Sequence, residues 1–194
     1  MSLPPHPHNP HNPSESVSQS VVRTRAATIR LLITDVDGVL TDGSITYDSQ
    51  GNELKTFYVR DGLGVKSWQQ LGFVIGIITG RGGQAVRKRA TELGIIHLSE
   101  QTRDKAADLR AMAEQVQIPL AQTAYIGDDW PDLPALRICG YPMAVADAHP
   151  DIQSMAAFTT AARGGRGALR EAIEHLLDAR SMLCTARALY DTNQ

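Results

Sequence analysis

Only two cysteines, Cys139 and Cys184, occur in the 194 residues, and neither has a partner at metal-ligand spacing. A disulfide framework and a zinc ribbon are therefore excluded as organising devices, and a reducing compartment is expected. Long apolar runs are missing too: the longest, such as residues 73–78, fall far short of the roughly 20 residues a bilayer-spanning helix needs. The first residues lack the charged and apolar regions of a secretory signal. A cytoplasmic protein with no membrane attachment is expected. An excess of one charge is also absent, since 19 Lys and Arg against 21 Asp and Glu leave a formal charge of -2. That balance argues against an electrostatic nucleic-acid binder, which carries a clear basic excess.

What is present divides the chain. Five of the ten prolines and three of the six histidines fall in the first 13 positions. Residues 1–27 bury too little apolar surface to offset the entropy of ordering, so a disordered tail is expected there. His6, His8 and His11 are then either inert or a loose metal-binding tract. About 170 residues remain, enough for one domain with a sizeable core and too few for two. The domain is placed at residues 28–180, with 181–194 as a helix end and tail.

Apolar runs at 29–34, 73–78, 95–98, 123–126 and 141–146, with a weak one at 158–160, read as strands. Helical patterns lie between and after them at 62–71, 83–93, 105–116, 133–138 and 168–189. Strands that are apolar throughout and alternate with helices predict an α/β fold, a doubly wound parallel sheet covered on both faces. One segment breaks the rhythm: residues 43–47 and 53–59 flank a turn at 48–52 and predict a projecting β-hairpin after the first strand. A lone hairpin is marginal in water, so Ile45, Tyr47, Phe57 and Val59 call for cover, from a second subunit or from their own domain.

In such a sheet ligands bind beyond the carboxyl ends of the strands. The first strand ends in Asp35 and Asp37, the second in Thr79, and the fourth in Asp128 and Asp129, with Asp132 shortly after; Lys105 begins a helix. Singly, each acid reads equally as a turn or a helix cap. Together, clustered carboxylates call for a hard cation such as Mg²⁺, and the set suits phosphoryl transfer through an aspartyl phosphate. Asp35 would attack phosphorus, Thr79 and Lys105 would hold the phosphate oxygens, and Asp37 would serve first as general acid and then as general base.

In chain order, Asp35-Val36-Asp37-Gly38-Val39-Leu40-Thr41-Asp42, Ile78-Thr79-Gly80-Arg81, Lys105 and Gly127-Asp128-Asp129-Trp130-Pro131-Asp132 resemble the four motifs of the haloacid dehalogenase superfamily of phosphatases. The resemblance implies a Rossmann-like fold. It also implies a Mg²⁺ ion held by the carboxylates of Asp35 and Asp128 and the backbone carbonyl of Asp37, with Asp129 and Asp132 in support. A narrower resemblance spans residues 29–177: the segments 57–64, 144–150 and 162–168 are similar to those of the 3-deoxy-D-manno-octulosonate (Kdo) 8-phosphate phosphatases, which serve bacterial lipopolysaccharide synthesis. The stretch 99–104 departs from that pattern by lacking a glycine.

Only 41 residues separate Asp37 from Thr79 and 25 separate Thr79 from Lys105, and both gaps are filled by the elements above, so the protein is expected to be capless. An open site leaves a small sugar-acid phosphate poorly enclosed; the hairpin and the segment 164–167 are candidates to complete a neighbour's site, and the resemblance implies a homotetramer. Arg60, Arg81, Arg163 and Arg166 are candidate partners for a substrate carboxylate or, equally, solvated charges, and Gly80 belongs with the phosphate binders. The rival readings are a nonulosonate 9-phosphate phosphatase, a receiver-type module and a catalytically silent relative.

Overall fold

The computed structural model describes residues 13–191, with side chains from residue 20 onward. Helix α1 (Pro13–Thr28) leads into β1 (Leu31–Thr34), and a hairpin of β2 (Thr46–Tyr47) and β3 (Glu53–Leu54) precedes α2 (Val59–Gln70). There follow β4 (Val74–Ile78), α3 (Gln84–Leu93), β5 (His97–Ser99), α4 (Lys105–Gln115) and β6 (Thr123–Gly127). The chain ends with α5 (Leu133–Ile138), β7 (Tyr141–Ala144), α6 (Pro150–Met155), β8 (Phe158–Thr159), α7 (Ala168–Ala179) and α8 (Leu183–Ala188).

Six strands make one parallel sheet in the order β5-β4-β1-β6-β7-β8. The chain winds outward from β1 through β4 to β5, then crosses back to β6 and winds the other way. Right-handed crossovers put the helices of the two halves on opposite faces. Accordingly α2 packs on α3 and α7, and α1 on α7, while α4 packs on α5 and α5 on α6. The predicted doubly wound sheet is what forms, because β1 and β6 are mostly apolar and buried along their whole lengths. On α7 the buried stripe Leu169, Ile173, Leu176 and Leu177 stabilises the docking by roughly 1.5–3 kcal/mol per side chain.

Several local expectations need correction. Residues 1–27 are not disordered throughout: from Pro13 the chain is helical, with Val22 and Ala26 packed on the core. Arg23 pairs with Asp178 at 2.9 Å and Arg25 donates to the Gly140 carbonyl at 2.6 Å. The apolar positions Val22 and Ala26, one helical turn apart, supply the burial that the polar average of the segment conceals. Residues 1–12, with His6, His8 and His11, lie outside the described residues. The helix expected over 168–189 is two helices, broken where Ser181 takes a left-handed φ of 59°. The hairpin strands are two residues each, and Val59, expected in its second arm, opens α2 instead. No further domain interrupts the described residues, so the fold is capless as expected.

Candidate active site

The sheet order sets β4, β1 and β6 side by side, and Thr34 is in register with both Ile77 and Ile126. The residues just beyond these ends, Asp35, Thr79 and Asp128, therefore emerge together where the winding reverses, the usual ligand crevice of such sheets. A cleft of about 300 Å³ opens there, lined by Asp35, Asp37, Thr79, Gly80, Arg81 and Lys105 together with Asp128, Asp129 and Asp132.

Asp104 caps α4, accepting from the backbone N–H groups of Ala106 and Ala107, and so starts that helix at Lys105. The ammonium of Lys105 is buried, 3.0 Å from Asp35 Oδ2 and 2.6 Å from Asp132 Oδ1. Burial alone lowers its affinity for the proton, but the Asp35 and Asp132 charges outweigh that and raise it, so Lys105 stays a cation. In the loop before it, which lacks a glycine, Gln101 adopts a left-handed φ of 55°.

Asp132 is the hub of the acidic loop. Its Oδ1 accepts from Lys105 and from the Tyr125 hydroxyl, both at 2.6 Å, and its Oδ2 from the N–H groups of Asp128 at 2.9 Å and Asp129 at 3.3 Å. Asp129 caps the short turn Trp130–Asp132.

Carboxylate oxygens of Asp35, Asp128 and Asp132 lie within 4.8 Å of one another. Those of Asp132 are engaged by donors, whereas Asp35 Oδ1 is buried with no hydrogen-bond partner among the described residues. Burial, reinforced by the Asp132 charge, pushes Asp35 up to about 7. Burial, then the charges of Asp132 and Asp35, pushes Asp128 up to about 8. Two carboxylates that resist ionising beside each other, with all-oxygen donors, fit a hard divalent cation such as Mg²⁺.

Asp37 is bonded by a residue the sequence did not single out. Lys55, just after β3, donates to Asp37 Oδ1 and to Glu53 at 3.0 Å; Glu53 also accepts from Arg81 at 3.2 Å. The signal was present in the hairpin's alternation, which puts Glu53 and Lys55 on one face and Leu54 on the other.

Of the four candidate arginines, only Arg81 lines the cleft. Arg60 is exposed, with its guanidinium over the Tyr58 ring. Arg163 pairs with Asp147 at 3.4 Å, and Arg166 lies 3.9 Å from Asp42, both largely in solvent. Their glycine neighbours lie against the loop after β1: Gly165 N–H donates to the Val39 carbonyl at 2.9 Å, and a β-carbon on Gly164 would strike the Gly38 carbonyl. The receiver arrangement is absent, since Glu100 at the end of β5 turns to the Gly83 N–H and to Arg87.

Comparison with known proteins agrees with this geometry. Residues 90–173 match the family described as haloacid dehalogenase-like hydrolase. The chain is 43% identical over 173 residues to a 3-deoxy-D-manno-octulosonate 8-phosphate phosphatase of Yersinia pestis, covering 89% of this chain and 92% of that one. It is 43% identical over 166 residues to the enzyme of the same name from Salmonella typhi, covering 86% and 88%. Among solved structures, the phosphatase of that name from Moraxella catarrhalis, in complex with a magnesium ion, a phosphate ion and a KDO molecule, superposes with a TM-score of 0.86 at 39% identity, covering 89% of this chain and 99% of that one.

Proposed function

Because the chain belongs to the 3-deoxy-D-manno-octulosonate 8-phosphate phosphatases, within the haloacid dehalogenase-like hydrolases, we propose that it hydrolyses Kdo 8-phosphate to Kdo and inorganic phosphate in lipopolysaccharide synthesis. The observation that carries the reading is the state of Asp35. Asp35 lines the cleft, its Oδ2 is held by Lys105 at 3.0 Å, and its buried Oδ1 has no hydrogen-bond partner among the described residues.

Asp35 Oδ1 attacks phosphorus in line, forming an acyl-phosphate bond as the bond from phosphorus to the sugar oxygen breaks. Lys105 and the Thr79 hydroxyl bind the non-bridging oxygens, and Lys105 also restrains the Asp35 carboxylate. Asp37 gives its proton to the departing sugar oxygen. It then takes a proton from the water that attacks the phosphoaspartate, which restores Asp35 and releases phosphate. Mg²⁺, held by Asp35, Asp128 and the Asp37 carbonyl, would neutralise the phosphate charge so that one anion approaches another.

Exposed Ile45, Tyr47 and Leu54 on the hairpin support a homotetramer in which a neighbouring subunit covers the open rim. Arg81 is the candidate for the sugar carboxylate. A cytoplasmic location belongs to the same reading, with Cys139 and Cys184 both free thiols.

The deciding experiment is a turnover panel of sugar phosphates with Mg²⁺ and after chelation. Kdo 8-phosphate is expected to exceed a nonulosonate 9-phosphate in kcat/KM by about tenfold or more. A preference for the nine-carbon substrate, or full activity after chelation, overturns the assignment. Light scattering reads the assembly, and a fully active monomer discards the shared rim.

A further inference from the structure

Lys55 reaches Asp37 at the edge of the cleft from outside the main sheet. Its side chain is only 2% exposed and sits between the carboxylates of Asp37 and Glu53. Glu53 is bonded in turn by Arg81 from the loop after β4. A buried lysine with two charged partners is held in one geometry, unlike the exposed pairs on a protein surface. It anchors Oδ1 of Asp37, while Oδ2 is buried and meets no partner among the described residues.

A general acid must present its proton along the line to the leaving oxygen, and a carboxyl group free to rotate does so only part of the time. We propose that Lys55 is a positioning residue: it pins one oxygen of Asp37 so that the other addresses the leaving group, with Glu53 and Arg81 keeping Lys55 in place. The proposal rests on the reading of Asp37 as acid and base. No proton passes through Lys55. Asp37 delivers its own as the phosphorus–alcohol bond breaks, and recovers one from water in the second half-reaction.

The test compares kcat/KM for Lys55→Met on three monoesters with Mg²⁺: the sugar-acid phosphate, a simple alkyl phosphate without a carboxylate, and 4-nitrophenyl phosphate, whose leaving group departs without a proton. This ratio covers steps only through loss of the first product, so it isolates the acid step. Lys55→Met is expected to lose about 10- to 100-fold on both alkyl esters and little on the nitrophenyl ester. Lys55→Arg recovers part of the loss. Loss confined to the sugar acid makes Lys55 a substrate contact, and equal loss on all three makes it structural; either overturns the proposal. Asp37→Ala separates this from the underlying reading. If Asp37→Ala keeps alkyl ester turnover, the acid role falls and takes the proposal with it. If Asp37→Ala loses that turnover and Lys55→Met does not, only the role of Lys55 falls. Nitrophenyl turnover also reports folding, and Lys55→Gln, with the charge removed and a polar head kept, carries the comparison if the methionine variant does not fold.

Discussion

A β-carbon on Gly38 would lie inside the carboxylate of Asp128. Gly38 also takes a left-handed φ of 89°, so two independent constraints, local backbone and distant side chain, demand glycine there. Gly38→Ala is expected to push Asp128 out of the acidic cluster and lower kcat/KM by about 100-fold or more, with the Mg²⁺ concentration for half-maximal activity raised. Activity measured against Mg²⁺ concentration checks this, and an unchanged Mg²⁺ dependence would show that Asp128 does not answer to Gly38.

Metal should stabilise the fold as well as serve the reaction. At a Mg²⁺ concentration of 100 times its Kd the gain is about 2.7 kcal/mol, visible as a shift in the urea midpoint. Asp128→Asn is expected to abolish both the shift and the activity. In the metal-free chain Asp35 is raised to about 7 and Asp128 to about 8, so at neutral pH binding must displace protons. Affinity therefore rises with pH until about 8, and calorimetry in buffers of different ionisation enthalpy is expected to register proton release.

Asp35 and Asp132 should respond oppositely to the same change. Asp35→Asn removes the attacking oxygen and a carboxylate that burial already disfavours, so turnover is lost while stability is kept. Asp132→Asn turns an amide N–H₂ toward donors in either orientation, because Lys105 and Tyr125 claim one oxygen and two backbone N–H groups the other. Its expected cost is about 3–5 kcal/mol in urea unfolding, together with partial loss of activity. Equal stabilities for the two variants would contradict the division between reacting group and hub.

Asp61 sets a pH dependence remote from the cleft. It is buried on α2, accepts from the Arg170 N–H at 2.8 Å, and burial pushes it up to about 6 against backbone hydrogen bonds that pull it down. The folded state thus holds more protons than the unfolded one between about pH 4 and pH 6, and stability falls as pH rises through that window. Two pKa units correspond to roughly 3 kcal/mol. Asp61→Asn keeps the acceptor and removes the titration, so its stability relative to the parent chain is expected to be higher by about that amount at pH 8 than at pH 4. Urea denaturation at the two pH values measures it, and a pH-independent difference would falsify the assignment.

The sheet and the acids at its rim were legible because both leave local marks. A strand buried on two faces must be largely apolar, as Leu31, Leu32 and Ile33 are, and an acid that follows it at once, as Asp35 does, lies at its carboxyl end. Relationships set by tertiary approach leave none. The hairpin's alternation sets Lys55 on the face of Glu53, but it does not say that Lys55 folds back to Asp37 while Arg60, five residues later, stays in solvent. The break between α7 and α8 falls at Ser181, with no glycine or proline to announce it. Helix α1 was hidden by averaging, since two packed positions, Val22 and Ala26, sit within a polar stretch.

The contact of Gly164 and Gly165 with residues 38–42 joins two parts of the chain made far apart in time. During synthesis the loop after β1 leaves the ribosome well before its supporting surface, which comes after β8. A nascent chain that already holds the cleft's side chains through Asp132 still lacks the support on which that loop rests. Competence thus arrives only once the segment after β8 has been made, so a chain that stops short of it offers a phosphate ester an unfinished cleft.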